Sequence, residues 1–283
     1  MPHRFLRIFC WSLLLAAAAA AQGPLFMGMG DSIGEGVQSA DASYFTQPYS
    51  YLHLMAWRMS APFPLPLIFT TPLSVVGDTG SRFRIDTSLH GMNLAVSGAD
   101  VNSLLNDRAD GIINSETDLV LLPRTGSQME IAEAARPTYV ACWIGNNDAL
   151  GTVLAYDRLD ASQLTPLAAF TSDFTAIATR LKAAGSKVVF GTVPDVSQIA
   201  VLLSRDEVVF LLGSDFGMAA GDRTSVITFF LIALGLLPPD TLRDPNFVLT
   251  ASEAALISAR IGEFNTVIKS VAAANGFGVA DIH

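Results

Sequence analysis

Five short apolar runs constrain this chain more than any other feature. They lie at Leu25–Met29, Asn93–Val96, Tyr139–Ile144, Lys187–Val193 and Gly278–Ile282. Each is about one strand long, and helix-period stretches such as Thr171–Ala184 and Ser252–Ala274 lie between them. Strand and helix in alternation predict a parallel sheet with helices on both faces. The helix over 252–274 has a start signal, because Thr250 followed three residues later by Glu253 spells a capping box. No repeat, low-complexity linker or break in composition divides the chain, so a single large domain is expected.

Residues 1–21 read as an export signal. Arg4 and Arg7 precede the apolar run Ile8–Leu15 and its alanines, and Ala19-Ala20-Ala21 offers a cleavage site before Gln22. The run is shorter than the roughly 18 residues that a membrane span needs. A domain covering 22–283, with no membrane span once the signal is removed, is therefore expected in the periplasm or outside the cell. Cys10 sits inside the leader, leaving Cys142 as the one mature cysteine. No intramolecular disulfide can form, and stability must come from packing. A content of 51% hydrophobic and 15% charged residues suits a packed core, and a net charge of −9 argues against a nucleic-acid partner. The scattered histidines and lone cysteine offer no metal site, and no cofactor is expected.

Two regions depart from the alternation. Pro62–Pro72 is apolar and proline-rich, which predicts an ordered loop rather than a helix. Around 201–245 lies an apolar insertion containing the run Val226–Leu237. This run reads as a buried helix enlarging the core, or as an apolar cap over a binding site.

Three polar motifs sit just past expected strand ends: Gly30-Asp31-Ser32, then Ser97-Gly98-Ala99, then Gly145-Asn146-Asn147-Asp148. Each alone has a modest explanation. Asp31 or Ser32 suits a helix N-cap, Ser97-Gly98 a plain turn, and Asn146 to Asp148 turn and cap residues. Gly30, Gly34 and Gly36 also fit the glycine spacing of a short-chain dehydrogenase loop. That reading needs a Tyr-x-x-x-Lys pair, and no tyrosine here has lysine four residues on. Gly-x-Gly-x-x-Gly fails as well, because Ile33 stands where the third glycine belongs. Three motifs in order, each at the carboxyl edge of one sheet, lie where open α/β folds bind ligands.

In these motifs the chain resembles the GDSL, or SGNH, hydrolase superfamily. The resemblance implies an α/β/α three-layer sandwich around a flavodoxin-like, five-stranded parallel sheet, and hydrolysis of carboxylic esters through an acyl-enzyme. By position it implies Ser32 as nucleophile, with Gly98 donating its backbone N–H and Asn147 its side-chain amide to the oxyanion. The Ser32 N–H would be a third donor. Such a role suits these types: glycine lets the backbone approach closely, and asparagine is a neutral donor. Asp148 is expected to fix the turn that aims Asn147. The substrate expected is a small-molecule or lipid ester.

The family's last block, Asp-x-x-His, has no match. A serine nucleophile needs a general base. His53 lies in a helix-like apolar stretch and reads as a packing residue, and His90 precedes the second strand at the wrong edge. Asp281 and His283 have one residue between them, and on a strand would point to the same face. The expectation is that the true block lies beyond residue 283, the chain being truncated after its fifth strand, with one sheet face left partly uncovered; the alternative is that Asp281 and His283 are themselves a degenerate dyad. A rival reading is a non-catalytic lipid- or carbohydrate-binding protein that keeps the pocket without the base.

Overall fold

The computed structural model describes residues 25–282, apart from 72, 73, 75 and 79. The expected leader at 1–21 and His283 lie outside the described residues. Strand β1 (Phe26–Gly30) leads into a one-turn helix α1 (Ser32–Glu35) and then α2 (Tyr51–Arg58). A small antiparallel hairpin follows, β2 (Ile68–Thr70) and β3 (Arg82–Arg84). Helices α3 (Val101–Asn106), α4 (Glu116–Leu121) and α5 (Gln128–Ala135) precede β4 (Tyr139–Trp143). Next come α6 (Asn147–Leu154), α7 (Leu167–Ala183) and β5 (Lys187–Gly191). The insertion holds β6 (Leu202–Ser204), α8 (Arg205–Leu212), β7 (Arg223–Ser225), α9 (Val226–Ala233) and β8 (Val248–Leu249). The long α10 (Ala251–Asn275) and β9 (Gly278–Ala280) close the described chain.

The central sheet has four parallel strands in the order β1-β4-β5-β9, flanked by helices. Four of the five predicted strands are thus in place, each ending within two residues of its expected end. The fifth, Asn93–Val96, is corrected. It lies parallel beside β1 but joins it by one bridge, Gly28 to Asn93, and is not a strand. Gly28 exchanges ladder bonds with Met92 and Leu94, and the Val96 N–H reaches the Gly30 carbonyl at 3.0 Å. The ladder breaks between them because the Gly30 N–H donates to Gln128 Oε1, at 3.0 Å, and not to the 92–96 segment. On the side away from β1, the Ala95 N–H turns back on the Asn93 side chain, at 3.1 Å.

The main core lies between the sheet and the α7–α10 pair. In α10, Ile257, Ile261, Phe264, Ile268 and Ala272 form one buried stripe at three- and four-residue spacing. It meets Phe170 and Phe174 of α7, and the Phe170 and Phe264 rings stack with centroids 4.0 Å apart. Each such side chain contributes about 1.5–3 kcal/mol by leaving water. The predicted capping box at the start of α10 is formed, by Thr250 and Glu253. On the other sheet face, beside α2, a hollow of about 260 Å³ is lined by Tyr51, Met55, Trp143, Val189, Ala280 and Ile282 among others.

The two irregular regions also differ from expectation. Pro62–Pro72 is not all loop, since β2 forms within it and pairs with β3. The insertion adds little to the main core, chiefly Leu202 of β6 and Leu249 of β8. It builds a three-stranded antiparallel sheet, β6-β7-β8, over a separate apolar cluster of Val208, Met218, Phe229, Ile232, Leu242 and Val248. The run Val226–Leu237 stays helical only to Ala233, burying Phe229 and Ile232 while Ile227, Phe230 and Leu234 face solvent. The Thr228 hydroxyl ties the insertion to the body by donating to the Tyr156 carbonyl, at 2.9 Å. Among the described residues no helix is long and apolar enough to cross a membrane, and no cluster of His, Cys, Asp or Glu could hold a metal.

Candidate active site

Gly30 ends β1 with φ +146°, and a Cβ there would stand 2.3 Å from the Trp143 carbonyl oxygen of β4. Only glycine lets the two strand ends come this close. The chain then turns at Asp31, which caps α1 by accepting the Ile33 N–H at 3.0 Å. Ser32 is the first residue of α1, so the cap role of Asp31 leaves the Ser32 side chain uncommitted to capping. The Ser32 hydroxyl makes no hydrogen bond among the described residues.

Register brings the third motif alongside. Gly30 pairs with Trp143 in the β1–β4 ladder, so both turns leave the same sheet edge. Asn146 Nδ2 donates to Asp31 Oδ2 at 2.7 Å, joining the first motif to the third across 115 residues. Asn147 starts α6, and its Nδ2 donates to the Ala99 carbonyl at 2.7 Å, joining the third motif to the second. A side-chain amide has two N–H groups, so one remains. Gly98 adopts φ +82° with nothing within 4 Å of where a Cβ would stand. Its backbone conformation, not a lack of space, calls for glycine. Residues 96–99 line a hollow of about 140 Å³ together with Ser103, Asp107, Thr117 and Gln128.

Burial dominates the electrostatics. Asp31 is 1% exposed, and loss of water pushes its carboxyl up to about 6, against the lowering effect of Asn146 and the Ile33 N–H. Asp148 is pushed up to about 7, again chiefly by burial. The expectation that Asp148 fixes its own turn is corrected. Its Oδ2 accepts the N–H of Val101 at 3.1 Å, so it anchors α3 to α6 instead. Burial also pushes the Cys142 thiol up, which keeps it protonated and inert inside β4.

Gln128 had no signal in the sequence. It heads α5, 98 residues from Gly30, and clamps that residue's peptide groups with both ends of its amide: Oε1 accepts the N–H and Nε2 donates to the carbonyl at 2.9 Å. Asn265 of α10 holds Val193, past the end of β5, in the same way, with bonds of 2.7 and 2.9 Å. A lone Gln ahead of an apolar helix looks like any first-turn polar residue, and only the chain path makes it a clamp.

Neither described histidine reaches this edge by its contacts. His53 Nδ1 sits 2.7 Å from the Pro48 carbonyl, and His90 is exposed ahead of the 92–96 segment. Asp281 lies at the carboxyl end of β9, where its two oxygens accept from Thr192 Oγ1 at 3.1 Å and Lys269 Nζ at 2.9 Å.

No family model and no curated protein matches this chain. Solved structures that resemble it include phospholipase A1 from Streptomyces albidoflavus NA297, at 17% identity and TM-score 0.45 over 92% of this chain and 80% of that one. An extracellular lipase from Streptomyces rimosus aligns at 18% identity and TM-score 0.37, over 91% and 80% of the two chains. An α/β hydrolase from the metagenome of Lake Arreo, Spain, aligns at 11% identity and TM-score 0.39, over 93% and 78%.

Proposed function

We propose that this chain is an exported serine ester hydrolase of the GDSL, or SGNH, type. The observation that carries the reading is the hydrogen-bonded chain linking Asp31 to Asn146 and Asn147 to Ala99, which draws the three motifs to one sheet edge. In this reading the Ser32 hydroxyl attacks the ester carbonyl. The new oxyanion is met by the backbone N–H groups of Ser32 and Gly98 and by the second N–H of Asn147. Collapse of the tetrahedral intermediate expels the alcohol and leaves an acyl-enzyme, which water then hydrolyses. The general base belongs to the segment after β9, as His283 or a later histidine, because His53 is held on Pro48 and His90 stands on solvent.

The same observation about His53 and His90 favours a second reading, a non-catalytic binding protein that keeps the hollow beside Gly98. One experiment separates the two. A fluorophosphonate should label wild-type protein at Ser32 and block turnover of p-nitrophenyl esters, and Ser32→Ala should abolish both. Folded protein that neither labels nor turns over ester supports the binding reading, and full activity in Ser32→Ala removes Ser32 from the mechanism.

A further inference from the structure

Glu35 sits one turn after Ser32 in α1 and is 1% exposed. Its Oε2 accepts two hydrogen bonds from Ser97, one from the backbone N–H at 2.7 Å and one from the hydroxyl at 2.5 Å. The next peptide N–H along the chain is that of Gly98. The other carboxylate oxygen faces the Arg82 guanidinium at 3.8 Å, too far for a hydrogen bond with it. Arg82 is itself fully buried, pairs with Glu116 and donates to the Ala42 carbonyl at 2.9 Å. Two carboxylates therefore share one guanidinium, and burial together with the charge of Glu116 holds the Glu35 carboxyl well above its ordinary range.

As a source of stability this arrangement is poor. A buried ionic cluster often does no better than apolar side chains of the same size. What it provides is a direct tie between α1 and the 97–98 peptide, across 62 residues of sequence. Gly98 has no side chain with which to hold itself, and its Cβ direction faces open space.

We propose that Glu35 is a positioning residue. It holds the Ser97–Gly98 peptide against the helix that carries Ser32, so that the Gly98 N–H stays aimed at the oxygen of the carbonyl that Ser32 attacks. Arg82 acts one step back, by keeping the carboxylate in place. The inference rests on the proposed roles of Ser32 and Gly98, and it extends them to a residue outside the three motifs.

Four variants test it, with turnover counted per fluorophosphonate-titrated site. Glu35→Asp keeps the carboxyl group but loses the reach, and should lower kcat about tenfold or more with KM within twofold, since small displacements in a site cost up to about 10² in rate. Glu35→Ala should lower kcat at least as far. Glu35→Gln retains an oxygen for Ser97 and should restore kcat to within about fivefold. Ser97→Ala keeps the backbone bond and should lose only a few-fold.

Amide hydrogen exchange at Ser97 and Gly98 reads the tie without turnover. It should quicken in Glu35→Asp and Glu35→Ala, and stay near wild type in Glu35→Gln. Wild-type kcat per site in Glu35→Asp, or unchanged exchange at 97–98, would overturn the proposal. So would Glu35→Gln being as impaired as Glu35→Ala, because charge and not position would then be what matters. Exchange that behaves as expected in a wild-type protein that cannot be labelled would sink the nucleophile reading instead. If Glu35→Ala fails to fold, the Asp and Gln variants still decide.

Discussion

Asn146 donates its side-chain amide to the carboxylate of Asp31 at 2.7 Å, which among the described residues is the one direct side-chain bond between the turn after β1 and the turn after β4. Both groups are buried, and Asn146 Oδ1 has no partner among the described residues. The bond favours ionised Asp31, yet burial outweighs it and leaves the carboxyl at about 6 instead of 3.8. Burial of the pair that joins two of the proposed catalytic motifs therefore works against the charge that its hydrogen bond favours.

The first prediction follows from that imbalance. The folded protein binds the Asp31 proton more tightly than the unfolded chain does. Its contribution to stability is fully present below pH 3.8 and is lost as pH rises toward about 6. The loss is at most about 3 kcal/mol. Asp31→Asn should abolish this change. Its oxygen can keep the Ile33 N–H, and its amide can donate to Asn146 Oδ1 once the Asn146 amide turns over. Urea unfolding at pH 4, 5, 6 and 7 should show the variant gaining on wild type across that range and level above it. Asp148 also titrates near here, but in both proteins alike, so the difference between the two curves isolates Asp31. A difference that does not change with pH would show that Asp31 is ionised throughout.

The second prediction concerns the clamp on Gly30. Gln128→Ala leaves the Gly30 N–H buried without its partner, while the carbonyl keeps the Val96 N–H. The cost should be about 1–3 kcal/mol in urea unfolding. Because Ser32 lies two residues on, ester turnover should fall as well. Gln128→Glu should be the worse of the two, since it buries a charge and sets an oxygen against the Gly30 carbonyl. Unchanged stability in Gln128→Ala would mean that the Gly30 N–H has found another acceptor.

The third prediction tests Asn147. Asn147→Ala should lower kcat by roughly 10²–10³ with KM little changed, because an oxyanion donor acts on charge that exists only in the transition state. Asn147 also holds the Ala99 carbonyl. Fluorophosphonate titration therefore has to show intact sites before kcat is compared. Normal kcat with a raised KM would make Asn147 a substrate-binding residue instead.

What the sequence determined by itself was local. The strands β1, β4 and β5, with ends placed to within two residues, the cap at Asp31 and the capping box at Thr250 depend on neighbours within four residues, and apolar period and turn chemistry report such things directly. The order of three motifs along one sheet edge followed, because parallel strands joined by crossovers put their carboxyl ends on the same side. Tertiary structure decided which polar groups meet. Gln128 takes the ladder place beside Gly30, Glu35 holds Ser97, Asp148 caps Val101, and the insertion keeps a core of its own. A hydrogen bond spanning 47 to 98 residues leaves no periodic trace in a sequence. A buried donor or acceptor must find a partner, but which partner it finds depends on where the packed layers bring the chain.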